Sequence, residues 1–106
     1  MKRMKSIHIV YADWCPHCVP TTVEPVKKKA EQIGVPCILY HVDDPNAIKK
    51  ADELVKKYGD WSEDYLIPQI FLEYENEIKH VFTGYSEDVE LTRNGLNNLL
   101  KSHLFK

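Results

Sequence analysis

Two cysteines three positions apart, in Trp14-Cys15-Pro16-His17-Cys18, stand between a stretch that reads as a strand and one that reads as a helix. Ahead of them, Ile7-His8-Ile9-Val10-Tyr11-Ala12 is rich in β-branched and aromatic residues, which predicts a first strand over 5–11. Behind them, Val19, Val23, Val26, Ala30 and Ile33 recur at spacings of 4, 3, 4 and 3, the stripe of an amphipathic helix. A Cys-x-x-Cys pair that opens a helix just after a strand is the placement of a redox motif. Cys15 is expected at or near the N-cap of that helix and Pro16 at its first position, where a missing N–H does no harm.

The bulk properties limit what surrounds the motif. At 106 residues the chain is expected to form one domain over 1–106, with 43% hydrophobic and 28% charged residues, as in a soluble globular protein. A formal net charge of -2 carries no electrostatic footprint for nucleic acid or for an anionic membrane, so neither is an expected partner, and a monomer is the expected state. The basic start, Met1-Lys2-Arg3-Met4-Lys5, is followed by an apolar run of only about six residues, shorter than the core of a secretory signal. No stretch approaches the roughly 18 apolar residues of a membrane span. A cytoplasmic setting is therefore expected. Three cysteines are too few, and odd in number, for a secreted disulfide framework. Cys37, in Pro36-Cys37-Ile38-Leu39-Tyr40, reads as a buried small hydrophobe.

Further along, Pro20 and Pro25 fall within the first helical stripe and predict a kinked helix rather than two helices, because the stripe keeps its phase across both. Gly34 is its expected end. Residues 36–42 read as the second strand. Asp44 and Pro45 supply an N-cap and an N1 proline for a second helix, with Ala47, Ile48, Ala51, Leu54, Val55 and Tyr58 on its apolar face and Gly59 at its end. Asp52 with Lys56, and Glu53 with Lys57, have the i,i+4 spacing of ion pairs. A polar loop over 60–66 carries Trp61 and Tyr65, which read either as a recognition patch or as packing over the sheet edge. Ile67-Pro68 opens a third strand, 69–74, joined by a turn near Glu75-Asn76 to a fourth, 77–83. A last helix carries Leu96, Leu99, Leu100, His103 and Leu104, capped by Ser86 or by Thr92. The order is βαβαββα. A crossover makes the first two strands parallel, the last two form an antiparallel hairpin, and helices cover both faces of a four-stranded mixed sheet. His8, His80 and His103 show no partner at this level.

This order, with the motif after the first strand and Ile67-Pro68 before the third, resembles the thioredoxin-like superfamily over nearly the whole chain. Tyr58-Gly59 and Gly84 are similar to thioredoxin features. The short form and Pro68-Gln69-Ile70-Phe71 are similar to glutaredoxins. The resemblance implies a thioredoxin-like α/β fold and a protein dithiol–disulfide oxidoreductase that needs no cofactor beyond a Cys15–Cys18 disulfide. It implies Cys15 as the exposed nucleophile, Cys18 as the buried resolving thiol, Pro68 as a cis-proline facing them, and the Ile67 backbone as a pairing edge for an extended substrate. Protein disulfides and an upstream reductase would be the partners, with glutathione as an alternative electron donor. Two departures stand out. Ile9 occupies the place of a buried aspartate that many thioredoxins carry, and Thr83-Gly84-Tyr85-Ser86-Glu87-Asp88 keeps only one glycine of the glutaredoxin Gly-Gly pair.

Thiol–disulfide exchange needs a thiolate attacker and a second thiol that displaces the mixed disulfide. A helix N-terminus beside Cys15 would favour the negative sulfur and lower its pKa. Pro16 and His17 are the tuning residues. The pair resembles that of strongly oxidising periplasmic oxidases, and His17 could place a hydrogen bond or a positive charge near Cys15. Asp13, Asp43, Asp44, Glu63 and Asp64 are expected around the same end, where negative charge opposes that effect. They would favour a basic-surfaced partner, or they are simply solvated loop and cap residues. Trp14 is expected to shield the motif and offer a contact surface. The rival readings are a structural disulfide, a zinc site drawn from Cys15, His17 and Cys18 with His41 or Cys37, and a redox-inactive metal- or peptide-binding module.

Overall fold

A computed structural model of the chain describes residues 4–15, 17–19, 21–62, 66–84 and 89–105. Their elements are β1 (Met4–Tyr11), α1 (Val23–Ile33), β2 (Cys37–His41), α2 (Pro45–Tyr58), β3 (Gln69–Tyr74), β4 (Ile78–Thr83), α3 (Val89–Leu100) and a 3-10 turn at His103–Phe105. The α/β order read from the sequence is the one observed. The four strands stand side by side as β2-β1-β3-β4. β1 runs parallel to β2 and antiparallel to β3, and β3 and β4 form the antiparallel hairpin.

β1 is a central strand, so both of its faces are covered and its sequence loses the simple apolar–polar alternation. Ile7 and Ile9 face one side with Ile70 and Leu72 of β3, where they meet Val23, Val26 and Ala30 of α1, Leu96 of α3, and Phe105. Val10 faces the other side with Tyr40 and Phe71, against Ala51, Leu54 and Val55 of α2. Helices therefore cover both faces of the sheet. Burying side chains of this size stabilises the fold by about 1.5–3 kcal/mol each.

α2 starts and stops where its sequence signals stand. The Asp44 carboxylate accepts from Asn46 N–H at 2.9 Å, Pro45 follows at the first position, and the Gly59 N–H donates to the Val55 carbonyl at the end. Two expectations for α2 are not met. Tyr58 is turned outwards, off the core. Neither i,i+4 pair closes: Lys56 Nζ lies 4.5 Å from the centre of the Trp61 ring, Lys57 Nζ lies 5.6 Å from that of Tyr58, and Asp52 Oδ1 is buried without a partner. An exposed i,i+4 pair is worth only about 0.2–0.5 kcal/mol, so a cation–π contact of similar or larger size displaces it.

α1 departs further from expectation. It begins at Val23 and not at the motif, and its N-cap is Thr22. Ahead of it, Cys18 N–H donates to Cys15 O, and both Thr22 and Val23 N–H donate to Cys18 O. A helix started at Cys15 would need an N–H from Pro20 and Pro25, and proline has none. Starting at Val23 puts Pro25 in the first turn, where the N–H groups have no partner anyway, so no kink is required. The predicted stripe survives because Val19 packs against the same core as Val23, Val26, Ala30 and Ile33.

α3 already includes Thr92 as a buried interior residue, so Thr92 is not its cap; the alternative at Ser86 lies outside the described residues. Among the described residues no helix is long and apolar enough to cross a membrane.

Candidate active site

The strand order determines what gathers at one end of the sheet. Tyr11 pairs with His41 and Val10 with Gln69, so the segments leaving β1 and β2 and the segment entering β3 meet there. The first of these carries Trp14 and Cys15. The third carries Ile67-Pro68, whose peptide bond is cis, as the family resemblance implied. Cys15, Cys18 and Ala12 form a small buried cluster, with Tyr11, Val19, Val42 and Ile67 packed against it. The motif and the proline segment are therefore neighbours, although they are far apart in the chain.

The two cysteines are unlinked and differ in their surroundings. Cys18 is fully buried and Cys15 retains 8% of its surface, less than an exposed nucleophile was expected to have. Its turn folds back on β1, with Cys15 N–H donating to the Ala12 carbonyl at 3.3 Å. Burial pushes the Cys18 thiol far above its ordinary value, and a hydrogen bond to the Cys15 side chain with Cys15 charge adds to the rise. The Ala12 N–H, 3.5 Å from Cys18 Sγ, works in the opposite direction but is outweighed. Cys18 is thus the thiol held protonated. Because α1 starts at Val23, the helix N-terminus that was to flank Cys15 lies further along the chain.

His17 does not stand free beside the sulfurs. Its Nδ1 lies 2.7 Å from Thr92 Oγ1 on α3, and Thr22 Oγ1 donates to its carbonyl at 2.6 Å. Pro16, the other tuning residue, lies outside the described residues, as do Glu63, Asp64 and Tyr65. Ile9 is fully buried in the core, so no acid occupies that place.

Trp14 is 65% exposed, and its indole N–H donates to Asp43 Oδ2 at 2.7 Å, which fixes the ring on the rim of the site. Asp43 N–H in turn lies 3.1 Å from His41 Nδ1. A neutral His41 that accepts there carries its proton on Nε2, 3.0 Å from Asp13 Oδ1. The Asp13 N–H is also 3.2 Å from Nε2, but a nitrogen that donates cannot accept, so the carboxylate contact is the one consistent with the rest. Two of the rim acids, Asp13 and Asp43, are thus tied into a network with Trp14 and His41. Asp44 serves α2 as its cap.

On the far side of Pro68, Gln69 holds the loop before β3. Fully buried, it accepts from Asp60 N–H at 3.0 Å and donates to the carbonyls of Asp60 and Leu66 at 3.1 and 2.8 Å. Asp60 Oδ2 accepts from Thr83 Oγ1 at 2.7 Å. Trp61 on this loop is 48% exposed.

Some residues with defined roles are not evident in the sequence. His8 is buried in a network: its Nδ1 is 2.8 Å from Tyr40 OH, and its Nε2 is 2.8 Å from Glu73 Oε1 and 3.0 Å from Ser6 Oγ. His80 lies 2.6 Å from Thr83 Oγ1 and edge-on to Phe71. The contacts of Thr92 and Gln69 also lacked a signal, since each acquires them from strand register or helix docking. Cys37 is half-buried, and burial, opposed by the Lys27 charge, pushes its thiol up to about 11. Among the described residues no three His, Cys, Asp or Glu side chains converge on a point where a metal could sit. Comparisons with family models, with curated proteins and with solved structures found no match to this chain.

Proposed function

We propose that this chain is a thiol–disulfide oxidoreductase of thioredoxin-like fold that works through Cys15 and Cys18. The observation that carries the reading is the unequal environment of two neighbouring cysteines: Cys15 retains 8% of its surface, while Cys18 is fully buried and burial pushes its thiol up. Exchange requires that asymmetry, because one sulfur must attack first while the other waits. A cis-proline segment packed against the same cluster supports the reading.

The cycle is written as follows. The Cys15 thiolate attacks one sulfur of a substrate disulfide, a Cys15–substrate bond forms, and the substrate's other sulfur departs as a thiolate. Cys18 then gives up its proton and attacks Cys15 sulfur, releasing the second substrate thiolate and closing Cys15–Cys18. The dithiol loses two electrons and two protons, and the substrate disulfide gains them. A low-potential dithiol reductase or glutathione returns them to the protein. In a reducing compartment such as the cytoplasm, a lone Cys-x-x-Cys serves catalysis or metal binding rather than a structural disulfide.

Before the second step can occur, the partner is covalently held. Cys18→Ser stops the cycle at that point, so incubation with disulfide-bearing proteins is expected to accumulate mixed disulfides at Cys15. Dithiothreitol should release them, and Cys15→Ser should form none. A Cys18→Ser protein that remains an unmodified thiol in the presence of excess disulfide would overturn the proposal.

A further inference from the structure

His17 is gripped from two sides by buried threonines. Thr22, fully buried, donates its hydroxyl to the His17 carbonyl at 2.6 Å and fixes the backbone between the cysteines. Thr92, 3% exposed on α3, sets its hydroxyl 2.7 Å from the ring Nδ1. The rest of Thr92 is equally constrained. Its Cγ2 is 3.0 Å from where a Cβ on Gly84 would stand, and Gly84 N–H donates to the Pro68 carbonyl at 2.9 Å. The methyl packs against the residue that backs the cis-proline, while the hydroxyl faces the ring between the cysteines. A buried helix position that needed packing alone would favour a better helix former than threonine.

We infer that Thr92 is a positioning residue that sets the redox poise of the Cys15–Cys18 pair by holding the His17 ring through Nδ1; this rests on the dithiol reading above. The physical link is short. The Thr92 hydroxyl, 2.7 Å from Nδ1, holds the imidazole in one orientation within the motif. A ring held two residues from Cys15 can offer a hydrogen bond or a charge to a thiolate there, and a thiolate exists only in the reduced protein. Stabilising the reduced form makes the disulfide the stronger oxidant. Removing the hydroxyl therefore makes the pair more reducing.

The test is the equilibrium constant between the Cys15–Cys18 pair and glutathione, measured for the wild type, Thr92→Val and Thr92→Ser. Thr92→Val is expected to move the constant about tenfold towards the reducing side, the scale of one hydrogen bond to a charged group. That corresponds to about 30 mV for a two-electron couple. Thr92→Ser, which keeps the hydroxyl, should stay within about twofold of wild type. The rate of Cys15 alkylation at neutral pH should fall in Thr92→Val and recover in Thr92→Ser. A change in folding alone would not follow the hydroxyl in this way, and in a His17→Ala background the effect of Thr92→Val should vanish. Should the valine variant fail to fold, Thr92→Ala takes its place in the same comparison. A reversible wild-type couple that the loss of the hydroxyl leaves within twofold overturns the Thr92 assignment alone. A wild-type protein with no reversible couple overturns the dithiol reading, and this inference with it.

Discussion

Gly84 donates its N–H to the Pro68 carbonyl at 2.9 Å, and the two residues stand so close that a Cβ on Gly84 would lie 3.0 Å from Pro68 Cδ. The same added carbon would lie 3.0 Å from Thr92 Cγ2, so neither neighbour can give way without moving the proline or α3. Gly84→Ala is expected to cost about 1–3 kcal/mol, the usual penalty of overpacking. Urea denaturation measures the cost. Disulfide reductase activity should fall further than the stability loss explains, because the displaced group is the proline segment beside the cysteines.

Gln69 makes three hydrogen bonds to the loop before β3 from a fully buried position. Gln69→Leu leaves the Asp60 N–H and two carbonyls without these partners, at about 1–3 kcal/mol for each group that stays buried. The predicted result is a marked loss of stability, together with faster hydrogen exchange at the Asp60 amide. Gln69→Glu keeps an acceptor for Asp60 N–H but loses both donated bonds. Near neutral pH it sets a buried carboxylate against the Asp60 and Leu66 carbonyls, so it should be at least as destabilised as the leucine variant.

Glu73 supplies a pH dependence whose sign follows from its contacts. The His8 hydrogen bond first, and the Ser6 hydrogen bond second, hold its carboxyl below the ordinary 4.5, so the ionised form is favoured in the folded protein. That stabilisation is complete above the unfolded value and is lost as pH falls through the lower folded value. The urea midpoint of the wild type should therefore exceed that of Glu73→Gln at about pH 5 and above. The margin should shrink below about 4.5. A margin that persists undiminished well below that value would contradict the assigned contacts.

Much of this architecture could be read in the chain because its signals are local. The β-branched run of β1 and the Asp44-Pro45 and Gly59 ends of α2 fixed those elements within a residue or so, and Ile67-Pro68 marked the entry to β3. The start of α1 is not legible because the apolar stripe extends back to Val19, ahead of the helix, so periodicity outlasts the helix. The partners of His8 and His17 could not be read at all. Tyr40 and Glu73 reach His8 only through the register of β1 with its two neighbours, and Thr92 reaches His17 only because α3 docks on the same face as α1. Contacts between residues 75 apart in the chain leave no local pattern.

Cys37 should be chemically quiet beside the motif. With its thiol pushed up to about 11, a negligible fraction is thiolate at neutral pH, and the thiolate is the reactive form. Peptide mapping after brief alkylation of the reduced native protein at pH 7 should find the label on Cys15, with Cys37 labelled only after unfolding. Cys37→Ala should keep full disulfide reductase activity, whereas Cys15→Ser should abolish it.

The central claim is that Cys15 and Cys18 form one two-electron redox couple. Equilibration of the Cys37→Ala protein with glutathione buffers of graded ratio, read by mass after acid quenching and alkylation, tests it most directly. The account predicts a reversible transition in which both cysteines change together with a two-electron slope. Its midpoint should lie above roughly −270 mV, the value for thioredoxin, as the tuning role proposed for His17 requires. A chain whose two cysteines stay alkylatable across the whole series, or carry glutathione without ever joining, would contradict it.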